Sequence, residues 1–135
     1  MIVVDNDVIS YFWIRMDTGR SEPARQVRTI DANWCVPHLW RSEFRNVLRS
    51  YLNRGYLTYQ DAVQLAQEAE ADLADRTFKV STADVLRLVD RSGHSAYDCE
   101  YVALAQYLDV PLVTGDKRLP DLFPETATLL EDFAS

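Results

Sequence analysis

The chain has 135 residues, a net charge of −7 and a hydrophobic content of 47%, which is enough to form the core of a single domain, residues 1–135. Proteins that hold nucleic acid by bulk electrostatics are usually basic, so any nucleic acid must be bound locally here. No apolar run approaches the ~20 residues that cross a bilayer, and no signal peptide is apparent. We therefore expect a cytoplasmic protein that does not associate with a membrane.

Short apolar strands alternate with helical patterns, which predicts an α/β domain with a parallel sheet flanked by helices. Strands are predicted at residues 2–4, 78–80, 111–114 and 127–130. Residues 17–33 are polar and irregular, with room for a short helix. The acidic tail, residues 131–135, is the one segment that reads as disordered.

Helix signals fill the segments between the strands. Helices are predicted over residues 8–15 with Asn6 or Asp7 as the N-cap, from Pro37 to Asn53, from a Thr58 cap onwards, from Ser81 or Thr82 to Gly93, and from Ser95 to Asp109. Asp61 follows Thr58 at the spacing of a capping box. The two cysteines, Cys35 and Cys99, form no metal-binding or redox motif.

Two carboxylates follow predicted strands directly. Asp5 comes after residues 2–4, and Asp116 comes two residues after Thr114. Loops at the carboxyl ends of parallel strands form the ligand crevice of such sheets, so the two acids are candidates to share a site. Each is also a residue type that favours caps and turns, which is the alternative explanation.

Two further carboxylates lie at the boundary between apolar and polar helix faces. Glu43 sits at the edge of an apolar stripe that includes Phe44 and Val47, and Asp98 lies in the first turn after Ser95. A carboxylate at such a boundary needs compensation, either from a metal ion or from a salt bridge. An acid in a first turn also stabilises the helix dipole.

Together, these four acids favour a site for hard divalent cations, which take several oxygen ligands. Such ions support phosphodiester cleavage by activating water and stabilising the leaving oxygen. The histidines, His38 and His94, have no matching partner in the sequence for a zinc site or a catalytic triad. The pattern therefore points to carboxylate-held metal chemistry.

Four blocks resemble the PIN-domain family, in particular the VapC-type toxins of VapBC toxin–antitoxin pairs. They are residues 2–5 (IVVD), 37–48 (PHLWRSEFRNVL), 95–105 (SAYDCEYVALA) and 112–119 (LVTGDKRL). They occur in the order and spacing of the family, over residues 1 to 119. The resemblance makes Asp5, Glu43, Asp98 and Asp116 the four metal-binding and catalytic acids.

The resemblance implies a mostly parallel sheet of about five strands with helices on both faces. It implies an endoribonuclease that depends on Mg²⁺, with Mn²⁺ as a substitute, a small antitoxin partner and a homodimer. Thr114 would place a hydroxyl near the metal or phosphate, and Asn46 would support the site from the helix of Glu43. Asp7 and Cys99 depart from the family pattern, and Asp7 adds negative charge near the metal or caps the first helix.

Several arginines are candidates for RNA contact. Arg41, Arg45 and Arg49 recur on one helix face away from Glu43, which favours a solvated or partner-facing flank. The arginines that follow the first helix are better placed to approach the crevice: Arg15, Arg20, Arg25 and Arg28. Lys117 and Arg118 adjoin Asp116 and are the basic pair expected to bind substrate.

Two other functions share parts of this pattern. Residues 4–7 (VDND) resemble the DxD motif of haloacid-dehalogenase phosphatases, in which Asp5 would be phosphorylated. That interpretation lacks a lysine motif before Gly115 and leaves Glu43 and Asp98 unexplained. A PIN protein with an RNA-processing or RNA-binding role would carry the same fold without being a toxin.

Overall fold

The computed structural model describes residues 1–16 and 19–135. Its strands are β1 (Ile2–Val4), β2 (Trp34–Pro37), β3 (Thr77–Phe78), β4 (Leu112–Thr114) and β5 (Ala127–Leu129). They form one sheet in the order β3-β2-β1-β4-β5, and each neighbouring pair runs parallel. The prediction of a mostly parallel sheet of about five strands is confirmed.

The helices in this part of the chain connect and cover the strands. They are α1 (Asn6–Ile14), α2 (Ser21–Ile30), α3 (Leu39–Asn53), α4 (Tyr59–Leu73), α5 (Thr82–Ser92), α6 (Ala96–Leu108), α7 (Arg118–Leu122) and α8 (Leu130–Ala134). None of them is long and apolar enough to cross a membrane. The strands β1 and β4 are fully buried at the centre, as expected for a parallel sheet with helices on its faces.

Cap residues fix several helix ends as predicted. Thr58 and Asp61 form the capping box of α4, with hydrogen bonds of 3.1 and 3.2 Å. Ser81 and Ser95 cap α5 and α6. The prediction for α1 was wrong, because Asp5 itself is the N-cap and its carboxylate accepts a hydrogen bond from the Asn6 N–H. The acid at the end of β1 therefore also starts the next helix.

Two segments are more ordered than the sequence indicated. Within residues 17–33, of which 17 and 18 lie outside the described residues, α2 forms ten residues of helix. It buries Ser21, Ala24 and Val27, which recur every third residue on one face. Two of the three are small, so few large apolar residues mark this helix in the sequence. Residues 131–134, which read as a disordered tail, belong to α8, and α8 packs against α2.

Candidate active site

The central acid, Asp5, lies at the carboxyl end of β1 beside the end of β4. Val4 pairs with Val113 in the sheet, which brings Thr114 next to Asp5. The Thr114 hydroxyl is fully buried and donates a 2.7 Å hydrogen bond to Oδ2 of Asp5. The same hydroxyl accepts a 3.0 Å hydrogen bond from the Asp116 N–H. Thr114 therefore couples the first acid to the fourth.

Asp7 also reaches this edge of the sheet. Its two carboxylate oxygens accept hydrogen bonds of 3.2 and 3.0 Å from the Gly115 N–H. A Cβ atom at position 115 would lie 2.7 Å from Oδ2 of Asp7 and 3.0 Å from Nη1 of Arg20. A side chain at position 115 would therefore have to displace the Asp7 carboxylate or the Arg20 guanidinium.

Glu43 is held from the opposite side by α6. The hydroxyl of Tyr101 donates a 2.6 Å hydrogen bond to Oε1 of Glu43. Tyr101 is fully buried, whereas Glu43 is half-buried on α3. Tyr101 was not among the predicted site residues, because a tyrosine in the apolar stripe of a helix is typical of a core position.

Asp98, in the first turn of α6, meets a histidine. Oδ2 of Asp98 lies 2.7 Å from Nε2 of His94. One ligand atom from each of His94, Asp98 and Asp116 lies within 4.8 Å of the other two. The expectation that His94 has no partner was wrong, although its spacing of four residues from Asp98 could have suggested the contact.

Mutual repulsion and burial set the charge state of the cluster. Burial, with the negative charges of Asp7 and Asp98, raises the pKa of Asp5 well above its usual value. The hydrogen bond from Thr114 lowers this pKa but does not cancel the rise. Burial raises the pKa of Asp7 to about 6. Burial also raises the pKa of Glu43, with Asp98 adding to the shift. The acids are therefore close enough to repel one another and need a positive charge to ionise together.

Asp116 is compensated differently. The guanidinium of Arg118 donates to both carboxylate oxygens, with distances of 2.8 to 3.2 Å. These bonds lower the pKa of Asp116, with burial opposing them. Arg118 is 72% exposed at its side chain, and Lys117 is exposed beside it. Two cations thus flank the solvent side of the acids.

The other arginines mostly point elsewhere. Arg20 approaches Asp7 and forms an ion pair of 2.6 Å with Glu131. Arg41 and Arg45 are exposed and lie 3.5 and 3.7 Å from Glu70 of α4. Of the remaining four candidates, Arg49 is exposed on α3. The other three have the following neighbours: Arg15 contacts the Phe12 carbonyl, Arg25 pairs with Glu22, and Arg28 pairs with Asp72.

Asn46, which the resemblance implied as a support of the site, lies on α3 one turn after Glu43 and is exposed. Among the described residues, no hydrogen bond joins its amide to the four acids. Residues three positions apart lie on the same side of a helix, so the role of Asn46 stays a prediction.

The donor set fits a hard divalent cation. Asp5, Glu43, Asp98 and Asp116 supply carboxylate oxygens from four different segments. The pKa values of Asp5 and Glu43 are raised first by burial and then by the charges of neighbouring acids, and a cation would offset both effects. Asp7 adds a fifth carboxylate close to Asp5 and Asp116. These residues could hold one cation or two.

Comparisons with known proteins identify the family of the chain. A family model described as PIN domain matches residues 2–123. Ribonuclease VapC3 of Pyrobaculum aerophilum is 30% identical over 132 residues, which cover 94% of this chain and 98% of that protein. Ribonuclease VapC9 of Mycobacterium tuberculosis is 37% identical over 91 residues, which cover 64% of this chain and 67% of that protein.

A solved structure shares the fold. The crystal structure of PAE2754 from Pyrobaculum aerophilum superposes with a TM-score of 0.73 at 19% identity, over 98% of this chain and 92% of that one. The family match spans β1 to β4 and all four acids of the cluster. The chain therefore belongs to the PIN-domain family and is of the VapC type.

Proposed function

We propose that this chain is a metal-dependent endoribonuclease and the toxin of a type II toxin–antitoxin pair. The observation that carries the proposal is the gathering of Asp5, Glu43, Asp98 and Asp116 at one edge of the sheet in a VapC-type PIN domain. The names of its relatives, which are VapC ribonucleases, support the same activity.

The four acids would hold Mg²⁺, with Mn²⁺ as a substitute. When bound, the cation supplies the positive charge that lowers the pKa of an attacking water and neutralises the phosphate. Thr114 keeps Asp5 fixed by donating to its Oδ2. The Gly115 N–H holds Asp7 at the site by a hydrogen bond, and the carboxylate of Asp7 would add negative charge to the cluster.

Glu43 is suited to accept a proton from the attacking water. Tyr101 occupies Oε1, whereas Oε2 has no hydrogen-bond partner among the described residues. Burial raises the pKa of this carboxyl, which makes it a stronger base than an exposed glutamate. Oε2 of Glu43 would therefore take the proton while Tyr101 prevents rotation of the carboxylate.

The substrate would be RNA held by local charge. Lys117 and Arg118 are exposed next to Asp116 and would contact phosphates on either side of the cleaved bond. The net charge of −7 opposes binding of nucleic acid elsewhere on the surface. Recognition of a particular RNA would come from the shape of the loops and from stacking on exposed bases.

The toxin assignment carries further expectations about partners. A small antitoxin would cover the acidic cluster, the chain would form a homodimer, and the pair would act in the cytoplasm. These expectations follow from the VapC type. A PIN protein with an RNA-processing role would use the same acids, and the presence of an antitoxin that inhibits the chain would separate the two roles.

The phosphatase alternative gains no support from the geometry. Glu43 and Asp98, which it leaves unexplained, act electrostatically on the same cluster as Asp5. Asp5 is buried and its carboxylate already accepts hydrogen bonds from Thr114 and the Asn6 N–H. Those bonds position a carboxylate as a fixed ligand.

The deciding experiment is cleavage of a labelled pool of total RNA with Mg²⁺ or Mn²⁺. Wild type is compared with Asp98→Asn and with the control Asp90→Asn, which changes an exposed aspartate on α5. We expect metal-dependent cleavage by wild type and the control, and its loss in Asp98→Asn. No cleavage by folded, partner-free wild type would overturn the proposal, and equal cleavage by all three would reveal a contaminant.

A further inference from the structure

His94 is held in a defined position beside the acids. It lies in the short loop between α5 and α6, directly after Gly93, which has a φ of 68° and ends α5. Its backbone N–H donates a 3.1 Å hydrogen bond to Oγ of Ser92. Its side chain is only 12% exposed and points Nε2 at Asp98. The imidazole is therefore part of the wall of the cluster.

The distances around His94 suit a shared cation. Adjacent ligands of an octahedral ion at about 2.1 Å lie about 3.0 Å apart, and opposite ligands lie about 4.2 Å apart. Nε2 of His94 is 2.7 Å from Oδ2 of Asp98, and ligand atoms of the trio with Asp116 all lie within 4.8 Å of one another. Small side-chain rotations would bring the three onto one ion.

We propose that His94 is a nitrogen ligand of the bound cation and that it strengthens the binding of Mn²⁺, the substitute ion, more than the binding of Mg²⁺. The inference rests on the proposed metal-dependent function and adds a residue to its ligand set. The lone pair on Nε2 would face the ion, with the imidazole proton on Nδ1. His94 thus supplies a neutral donor in a group of carboxylates.

The two ions differ in how strongly they bind a nitrogen ligand such as His94. Mg²⁺ demands oxygen ligands in near-ideal octahedral geometry and keeps several waters. Mn²⁺ lies among the first-row metals whose affinity for nitrogen donors exceeds that of Mg²⁺, because imidazole is a softer ligand than carboxylate. A histidine beside Asp98 and Asp116 would therefore strengthen Mn²⁺ binding far more than Mg²⁺ binding.

A different role for His94 leads to a different observation. If His94 only donates a hydrogen bond to Asp98, it orients that carboxylate and does not touch the ion. Removal of His94 would then weaken Mn²⁺ and Mg²⁺ binding to a similar extent. The nitrogen would also lie too far from the metal for direct magnetic coupling.

The test is pulsed electron paramagnetic resonance on the full chain loaded with Mn²⁺, which detects a nitrogen nucleus bonded to the ion. Calorimetric titrations with Mn²⁺ and with Mg²⁺ accompany it. The variant is His94→Asn, and the matched control is His38→Asn, because these are the two histidines of the chain. Circular dichroism checks that each variant is folded.

We expect nitrogen modulation in wild type and in His38→Asn, and its loss in His94→Asn. Mn²⁺ affinity should fall at least about tenfold in His94→Asn, with a much smaller change for Mg²⁺. Mn²⁺-loaded wild type without nitrogen modulation, or modulation that survives in His94→Asn, would overturn the proposal, as would failure of Mn²⁺ to bind. The wild-type spectrum decides the question even if the variant does not fold.

These readouts are separate from the nuclease assay. Nitrogen modulation without RNA cleavage would support His94 as a ligand and count against the proposed activity. RNA cleavage without nitrogen modulation would support the proposed activity and count against His94 as a ligand. The two proposals can therefore fail independently.

Discussion

The hydroxyl of Tyr101 donates a 2.6 Å hydrogen bond to Oε1 of Glu43 and so connects α6 to α3 across the acid cluster. The phenol is fully buried, and its pKa is raised far above the usual value by burial and by the charge of Glu43. Tyr101 is therefore a permanent donor at any pH of interest. It fixes one oxygen of a carboxylate that would otherwise rotate.

Tyr101→Phe should keep the fold and weaken the site. The hydrogen bond lowers the pKa of Glu43 against burial, so its loss should raise that pKa further. We expect metal affinity to drop by about fivefold, equivalent to about 1 kcal/mol, and the acid limb of the pH–activity profile to move to higher pH. Tyr97→Phe is the control, since Tyr97 is 63% exposed on the same helix. Equal effects of the two variants would contradict the assignment.

The raised pKa of Asp7 predicts a pH-dependent stability in metal-free protein. Its pKa is about 6 in the folded chain against an ordinary 3.8. The folded state therefore binds more protons than the unfolded state between these values, and the free energy of unfolding should fall as pH rises from about 4 to about 6. Saturating Mg²⁺ should abolish this loss, because a cation stabilises the ionised cluster.

Asp7→Asn isolates this effect. At neutral pH with chelator present, the variant should be more stable than wild type by about 2 kcal/mol, whereas near pH 4 the difference should vanish. Urea unfolding at both pH values measures it, with the exposed Asp90→Asn as control. A variant that is less stable than wild type at neutral pH without metal would show that the Gly115 hydrogen bond outweighs burial.

Gly115→Ala should damage the site by a steric route. The new Cβ would lie 2.7 Å from Oδ2 of Asp7, so that carboxylate must turn away and lose the Gly115 N–H. Gly55→Ala is the contrast: Gly55 has a φ of 74°, and a methyl group added there would meet nothing within 4 Å. We expect Gly55→Ala to cost about 1 kcal/mol of stability and leave metal affinity intact, whereas Gly115→Ala lowers metal affinity.

Calorimetric titration with Mg²⁺ and thermal unfolding distinguish these outcomes. Unchanged metal affinity in Gly115→Ala would mean that Asp7 is not part of the cation's surroundings.

Much of the site could be predicted because local chemistry dictates it. β1 and β4 are short apolar runs that end at acids, and parallel pairing places such ends together. Caps at Thr58, Ser81 and Ser95 were readable because a hydroxyl before an apolar run satisfies the free N–H groups of a helix.

What the sequence could not provide depends on contacts between distant segments. The Tyr101–Glu43 bond joins residues 58 positions apart, and no local pattern separates a tyrosine that donates to an acid from one that fills a core. The full extent of α2, for which the sequence indicated only a short helix, was not predicted because its stabilising partners lie outside it. One example is Asp72 of α4, which pairs with Arg28.

The ion pair between Arg118 and Asp116 predicts competition between an internal cation and the metal. Arg118 engages both carboxylate oxygens of Asp116, so a bound ion must share or displace it. Arg118→Gln should therefore bind Mg²⁺ more tightly, by a modest factor because solvent screens so exposed a pair. The same change should weaken RNA binding, because it removes the proposed phosphate contact of Arg118. Lys117 has no bond to Asp116, so Lys117→Gln should weaken RNA binding without tightening Mg²⁺ binding. An Arg118→Gln variant with wild-type affinity for both Mg²⁺ and RNA would show that Arg118 is not part of the site.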